Sequence, residues 1–196
     1  GVLAAAVAAV MVTAAACGTE DTPTPQLSGP VVIDGSSTVQ PLSQAAAQSD
    51  EKVVAVTFDD APTEHTVDVL RILRERDVKA TFYAIGQNIA DHPDIARDIV
   101  AEGHELGNHT YSHKRMVGTN ETPGFVRDEI ERTDELIEQA GYTGEITFRP
   151  PYGKKLFVLP WYLARNGIRT VTWDIEPDTD HAGDADGIVA NVSENT

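Results

Sequence analysis

KVVAVTFDD, residues 52–60, is an apolar, β-branched run that stops on two adjacent carboxylates, Asp59 and Asp60. Its composition predicts a buried strand over 52–58 with the acids at the C-terminal end. Downstream, Val67, Leu70 and Leu73 recur at helical spacing within 64–77, and KATFYAI, residues 79–85, reads as a second strand. A short helix opening on Pro93 is expected over 93–102, and a third strand over 105–108. Thr122 and Pro123 have the form of an N-cap and a first helical residue. The helix they open runs through Phe125, Ile130, Ile137 and Ala140 to Gly141. Strands at 145–148 and 168–173, a helix at 161–166 stopped by Gly167, and a helix at 184–192 complete the pattern. Strand and helix alternate throughout, which is the signature of an α/β chain with a parallel sheet or barrel.

Composition narrows the chemistry. Of 196 residues, 15 are basic and 31 acidic, a net charge of −16 that argues against binding nucleic acid through its phosphates. A single cysteine excludes an internal disulfide framework and any thiolate-rich zinc site. A metal, if bound, must be held by His and carboxylate.

The region before residue 51 has a different texture. Val2 to Ala16 is almost wholly Ala, Val, Leu and Met, short for a membrane span and suited to the apolar core of a secretory signal. Ala14-Ala15-Ala16-Cys17 resembles a bacterial lipoprotein cleavage box, which implies a lipid anchor at Cys17 and a secreted or cell-envelope location. The polar, Pro-rich stretch that follows has the character of a tether. Residues 31–48 (VVIDGSSTVQPLSQAAAQ) resemble the opening of the phosphate-binding protein of a phosphate ABC transporter, too short to enclose an anion. The expected organisation is therefore a signal segment over 1–17, a tether with that remnant over 18–50, and an α/β domain over 51–196.

Polar residues fall where the expected strands end. Asp59 and Asp60 follow the first, His109 the third, Arg149 the fourth and Asp174 the fifth. In a β/α barrel those points converge on the rim that carries the chemistry. Taken singly, the acid pair reads equally as a solvated turn, and His109 with His113 as a surface or capping pair. Together, one carboxylate and two imidazoles make a facial metal set with open positions. Arg149-Pro150-Pro151-Tyr152-Gly153 adds a rigid turn from which an Arg can hold a carboxylate.

TFDD (57–60), HTYSH (109–113) and RPPYG (149–153), in that order, resemble the first three motifs of the NodB-homology polysaccharide deacetylases, carbohydrate esterase family 4. KATFYAIG and GHELGNH are similar to that family's connecting text. The resemblance implies a distorted (β/α) barrel that ends here before its last strand. It also implies a metal-dependent hydrolase removing N-acetyl groups from a peptidoglycan or chitin-like polysaccharide. An acetylxylan O-deacetylase and a carbohydrate-binding pseudoenzyme are the alternatives. Asp60, His109 and His113 would bind one divalent ion, zinc by preference; Asp59 would be the general base, oriented and kept ionised by Arg149. The Tyr152 amide would join the metal at the oxyanion. Glu176, or else Asp174, would match the acid of the fourth motif, whose partner, a Leu-x-His, is not in the sequence. His181 does not fit that pattern, and His65, His92 and His104 are expected to be surface or core residues. Where the family has Gly after the acid pair this chain has Ala61; were that position to need positive φ, Ala would cost about 1 kcal/mol.

Overall fold

A computed structural model describes residues 54–177 and 183–195. The signal segment with Cys17, the tether, and His181 lie outside the described residues. Three strands, β1 (Thr57–Ala61), β2 (Thr81–Ala84) and β3 (Glu105–Asn108), form a parallel sheet in the order β1-β2-β3. Phe82 pairs with Phe58 on one side and Leu106 on the other. The sheet continues through two single-residue parallel bridges, Asn108 to Phe148 and Phe148 to Thr170.

The helices are α1 (Thr66–Glu75), α2 (Gly86–Asp91), α3 (Pro93–Ala101), α4 (Pro123–Gln139), α5 (Val158–Arg165) and α6 (Ala185–Asn195). Thr122 caps α4, its side chain accepting from the Phe125 amide, with Pro123 in the first turn as expected. Among the described residues no helix is long and apolar enough to cross a membrane.

Four expectations change. The first strand starts at Thr57 and continues through both acids, because its ladder with β2 runs on to Ala61 opposite Ala84. The strands expected at 145–148 and 168–173 shrink to the bridges at Phe148 and Thr170. Pro150 and Pro151 have no N–H to donate, so the ladder cannot extend past Arg149. The α2 helix was not expected: it has six residues and no side-chain cap. The α5 helix begins at Val158, three residues early, because Glu121 satisfies amides at its start.

Two apolar clusters hold the layers together. Leu70, Leu73, Phe82, Ile99, Leu106 and Ile137 fill one; Met116, Val126, Ile130, Phe148, Leu159 and Leu163 fill the other. The α4 helix contributes to both, Ile137 to the first and Val126 with Ile130 to the second, so it locks the loops above the sheet in place. Gly107 admits the Tyr83 ring, which would lie 2.5 Å from any Cβ at that position. Tyr83 in turn stacks on the Arg149 guanidinium, 3.9 Å from the ring centroid.

Candidate active site

In a regular strand, Asp59 and Asp60 would point to opposite faces of the sheet. They do not, because the β1–β2 register slips between Asp59 and Ala61, leaving Asp60 as the extra residue of a bulge. Asp60 takes the left-handed conformation, φ 64°, and its carbonyl accepts from the side-chain Nδ2 of Asn88 at 2.8 Å. The positive φ falls on Asp60 itself, so Ala61 carries none of the cost anticipated for it. Both carboxylates then reach one site.

The two oxygens of Asp59 are used differently. Oδ1 accepts from Arg149 Nη1 at 2.6 Å, while Oδ2 stands 3.9 Å from His109 Nε2. Arg149 is itself fixed on all sides. Nη1 also donates to Thr57 Oγ1 at 2.9 Å, Nη2 to the Thr172 carbonyl at 3.1 Å and Nε to the Val171 carbonyl at 3.4 Å. A guanidinium held by that many acceptors is a rigid positioning device.

His109 is buried, and its Nδ1 lies 2.7 Å from the Arg149 carbonyl. A carbonyl only accepts, so Nδ1 carries the hydrogen and the Nε2 lone pair faces the acids. Burial pushes the His109 imidazole below the usual range, against the pull of Asp59 and the hydrogen bond to Arg149. Asp60 Oδ1 lies 3.7 Å from His109 Nε2 and 3.4 Å from His113 Nε2. All three ligand atoms lie within 4.8 Å of one another.

These separations test whether the residues fit a metal. Ligands about 2.0–2.1 Å from a tetrahedral ion stand roughly 3.3–3.4 Å apart. The acid–imidazole separations, 3.7 and 3.4 Å, are near that spacing, and the widest separation in the set, at most 4.8 Å, would close by up to about 1.4 Å around a shared centre. The donor set, two imidazoles and a carboxylate, fits a divalent ion and suits a borderline cation such as zinc.

The loop carrying the two histidines is built by residues that sequence reading missed. Asn108 Oδ1 accepts from the Thr110 amide, and its Nδ2 donates to the Ile130 carbonyl and to Asp134 Oδ1. Thr110 Oγ1 accepts from the His113 amide. Glu129, buried on α4, takes both the amide and the hydroxyl of Ser112, each at 2.8 Å. A signal for Glu129 existed: it sits three residues after Val126 and four before Thr133, on the buried stripe of the helix, where a carboxylate needs partners.

Tyr152 follows in the left-handed region, φ 59°, with its ring exposed and 4.9 Å from the His113 ring. Its amide N–H has no acceptor among the described residues. Glu176 is exposed and accepts from the Trp173 indole at 3.0 Å, and no imidazole reaches it among the described residues. Asp174 is likewise exposed and outside the cluster. His65 is exposed beside a cavity of about 270 Å³ that Asp59 and Asp60 also line; His92 is half-buried and His104 buried, as expected of surface and core residues.

Comparisons place this geometry. A peptidoglycan-N-acetylglucosamine deacetylase of Bacillus cereus is 39% identical over 146 residues, which cover 73% of this chain and 52% of that protein. A chitooligosaccharide deacetylase of Rhizobium leguminosarum is 34% identical over 67% of this chain and 60% of its own length. The chain thus spans little more than half the length of these relatives. The solved family 4 carbohydrate esterase of Streptomyces lividans, in complex with acetate, superposes with a TM-score of 0.65 at 35% identity, covering 71% of each chain, so the barrel expected from the motifs is the fold found. Residues 46–171, well over half of the sequence, match the model of the polysaccharide deacetylases, and the chain belongs to that family.

Proposed function

We propose that this chain removes N-acetyl groups from a cell-wall or chitin-like polysaccharide, releasing acetate and leaving a free amine on the sugar. The observation that carries the reading is the division of labour in Asp59: one oxygen pinned by Arg149 at 2.6 Å, the other turned toward the His109–Asp60 cluster.

Asp60, His109 and His113 would hold a zinc ion. Bound there, it supplies a Lewis acid that polarises the acetyl carbonyl and a lowered pKa for water. Asp59 Oδ2 takes the proton of the attacking water, which is general-base work worth about 10²–10⁴ in rate. Arg149 keeps that oxygen aimed, since Oδ1 cannot rotate away without breaking its bond. The Tyr152 amide, without an acceptor among the described residues and presented by the left-handed turn of the RPPYG loop, donates to the oxyanion as the carbonyl becomes tetrahedral. One such donor is worth about 3 kcal/mol of barrier. As the C–N bond breaks, the proton that Asp59 took from water passes to the leaving nitrogen, so the products are acetate and the free amine.

The names of the relatives support this substrate class. The apolar segment ending at Cys17 supports an envelope location with a lipid anchor, which would hold the enzyme next to such a polymer. Acetate release from chitopentaose and from peptidoglycan strands, with zinc and after chelation, is the test. Activity is expected only with metal, and Asp59→Asn is expected to lower kcat by at least about 10². Full activity of Asp59→Asn would overturn the assignment of the base.

A further inference from the structure

The charge of this chain is lopsided, 31 acidic residues against 15 basic ones. Yet four basic side chains stand in two short runs beside the site: Lys114 and Arg115 directly after His113, Lys154 and Lys155 directly after Gly153. All four are exposed. Their loops are tied together, Met116 pairing with Lys155 in a parallel bridge and Glu121 accepting from the amides of Phe157 and Val158. The Arg115 guanidinium lies 4.8 Å from the centroid of the Tyr152 ring, which itself packs 4.9 Å from the His113 ring. The basic runs therefore adjoin the metal-ligand cluster.

Elsewhere Arg71, Arg74, Arg127, Arg149 and Arg169 each pair with a carboxylate, while Arg76, Lys79, Arg97, Arg132 and Arg165 are scattered singly over the described residues without one. None of the four rim cations pairs with a carboxylate among the described residues, and Glu121, the acid on the same loops, is committed to two amides. Four like charges gathered on two joined loops repel one another and focus a positive potential at the mouth of the site. In a chain of net charge −16, a polyanionic substrate would otherwise be repelled.

We infer that this basic rim binds carboxylates on the substrate, so that the enzyme acts on an acidic glycan in preference to a neutral one. The inference rests on the deacetylase reading of the neighbouring site. Lactyl carboxylates on the glycan and carboxylates of attached peptide share the chemistry required, and neutral chitin or xylan lacks it.

The test is fluorescence anisotropy of labelled glycan strands on the full chain, paired with acetate release. Four probes are compared: peptidoglycan strands stripped of peptide with lactyl carboxylates free, the same strands methyl-esterified, strands with peptide attached, and neutral chitooligosaccharide. Free carboxylates are expected to bind about tenfold tighter than their esters, from several exposed ion pairs acting together. Lys114→Gln/Lys154→Gln/Lys155→Gln should shrink that ratio to about twofold or less, as should added salt. Each ratio is taken on one protein, so a loss of folded fraction cancels from it. Tighter binding of the stripped strands assigns the rim to lactyl groups, and of the peptide-bearing strands to peptide carboxylates. Equal affinity for free and esterified strands, or a ratio that survives in the triple variant, overturns the rim. Discrimination in binding without acetate release from any probe would instead overturn the deacetylase reading and leave the rim standing.

Discussion

Asp134→Asn should make this protein more stable at neutral pH and leave it unchanged in acid. Burial drives the Asp134 carboxyl up from 3.8 to about 6, with Glu138 and Glu131 adding to the push against a hydrogen bond from Asn108. A raised carboxyl favours the protonated form in the folded state. Below pH 3.8 both states are protonated and that contribution is complete. Between 3.8 and 6 the unfolded chain ionises while the folded chain resists, so stability falls, and above 6 the loss stays constant. Two pKa units correspond to about 3 kcal/mol. Asparagine keeps an oxygen for the Asn108 amide and does not ionise. Thermal melts from pH 3.5 to 8 should show the variant level with the parent at the acid end. By pH 7 it should gain up to about 6–12 °C, at roughly 2–4 °C per kcal/mol for a chain of this size. A difference that is flat with pH, or a variant weaker at pH 7 than at pH 4, would refute the placement of a strained charge beneath the histidine loop.

The remaining expectations are shorter. His104 is held down to about 4 by burial, and its Nδ1 accepts from the Ala80 amide while Nε2 has no partner among the described residues. The stability it contributes as a neutral ring is full above pH 6.5 and lost as the pH falls to 4; denaturant titration should show about 3 kcal/mol less acid loss in His104→Asn than in the parent. Glu129→Gln leaves Ser112 one good acceptor in place of two. Zinc affinity by competition with a chromophoric chelator should weaken about tenfold to a hundredfold, the usual effect of disturbing groups behind a ligand. Arg149→Lys keeps the charge but not the fork, so kcat for acetate release should drop by about 10²–10³ with little change in zinc content.

What the sequence disclosed and what it hid have a common physical cause. Asp59, Asp60, His109 and Arg149 were legible because each is a costly polar residue at the end of an expected strand, and His113 because of its spacing from His109. The groups behind them were not. Asn108 and Asp134 are ordinary polar residues until the fold shows Asn108 holding the Thr110 amide and Asp134 holding Asn108, and the buried position of Glu129 on its helix does not say that its partner is Ser112. The bulge at Asp60 was invisible for a different reason: it is a property of the register between β1 and β2, and register is a relation between two segments. The conditional cost placed on Ala61 does not arise, because the positive φ falls on Asp60. The pairs of strand residues at 145–148 and 168–173 had the composition of strands, but the prolines after Arg149 withheld the donors that a longer ladder needs.

The same relation explains where the backbone is strained. Among the described residues five non-glycine positions have positive φ, and four of them, Asp60, Thr110, His113 and Tyr152, belong to the site. Each conformation costs on the order of 1 kcal/mol. Two of these four are metal-ligand candidates, the third lies between His109 and His113, and the fourth presents the free amide. The strain is thus located at the atoms whose positions matter, and it persists because the surroundings over-determine them. Thr110 is held by Asn108, His113 by Thr110, and Ser112 by Glu129, a chain of hydrogen bonds that ends on α4. The α4 helix is in turn fixed by both apolar clusters. The consequence is directional. Loosening the core around Ile130 or Ile137 should release the histidine loop toward relaxed backbone before the sheet itself melts, so metal affinity should fall ahead of global stability as denaturant rises.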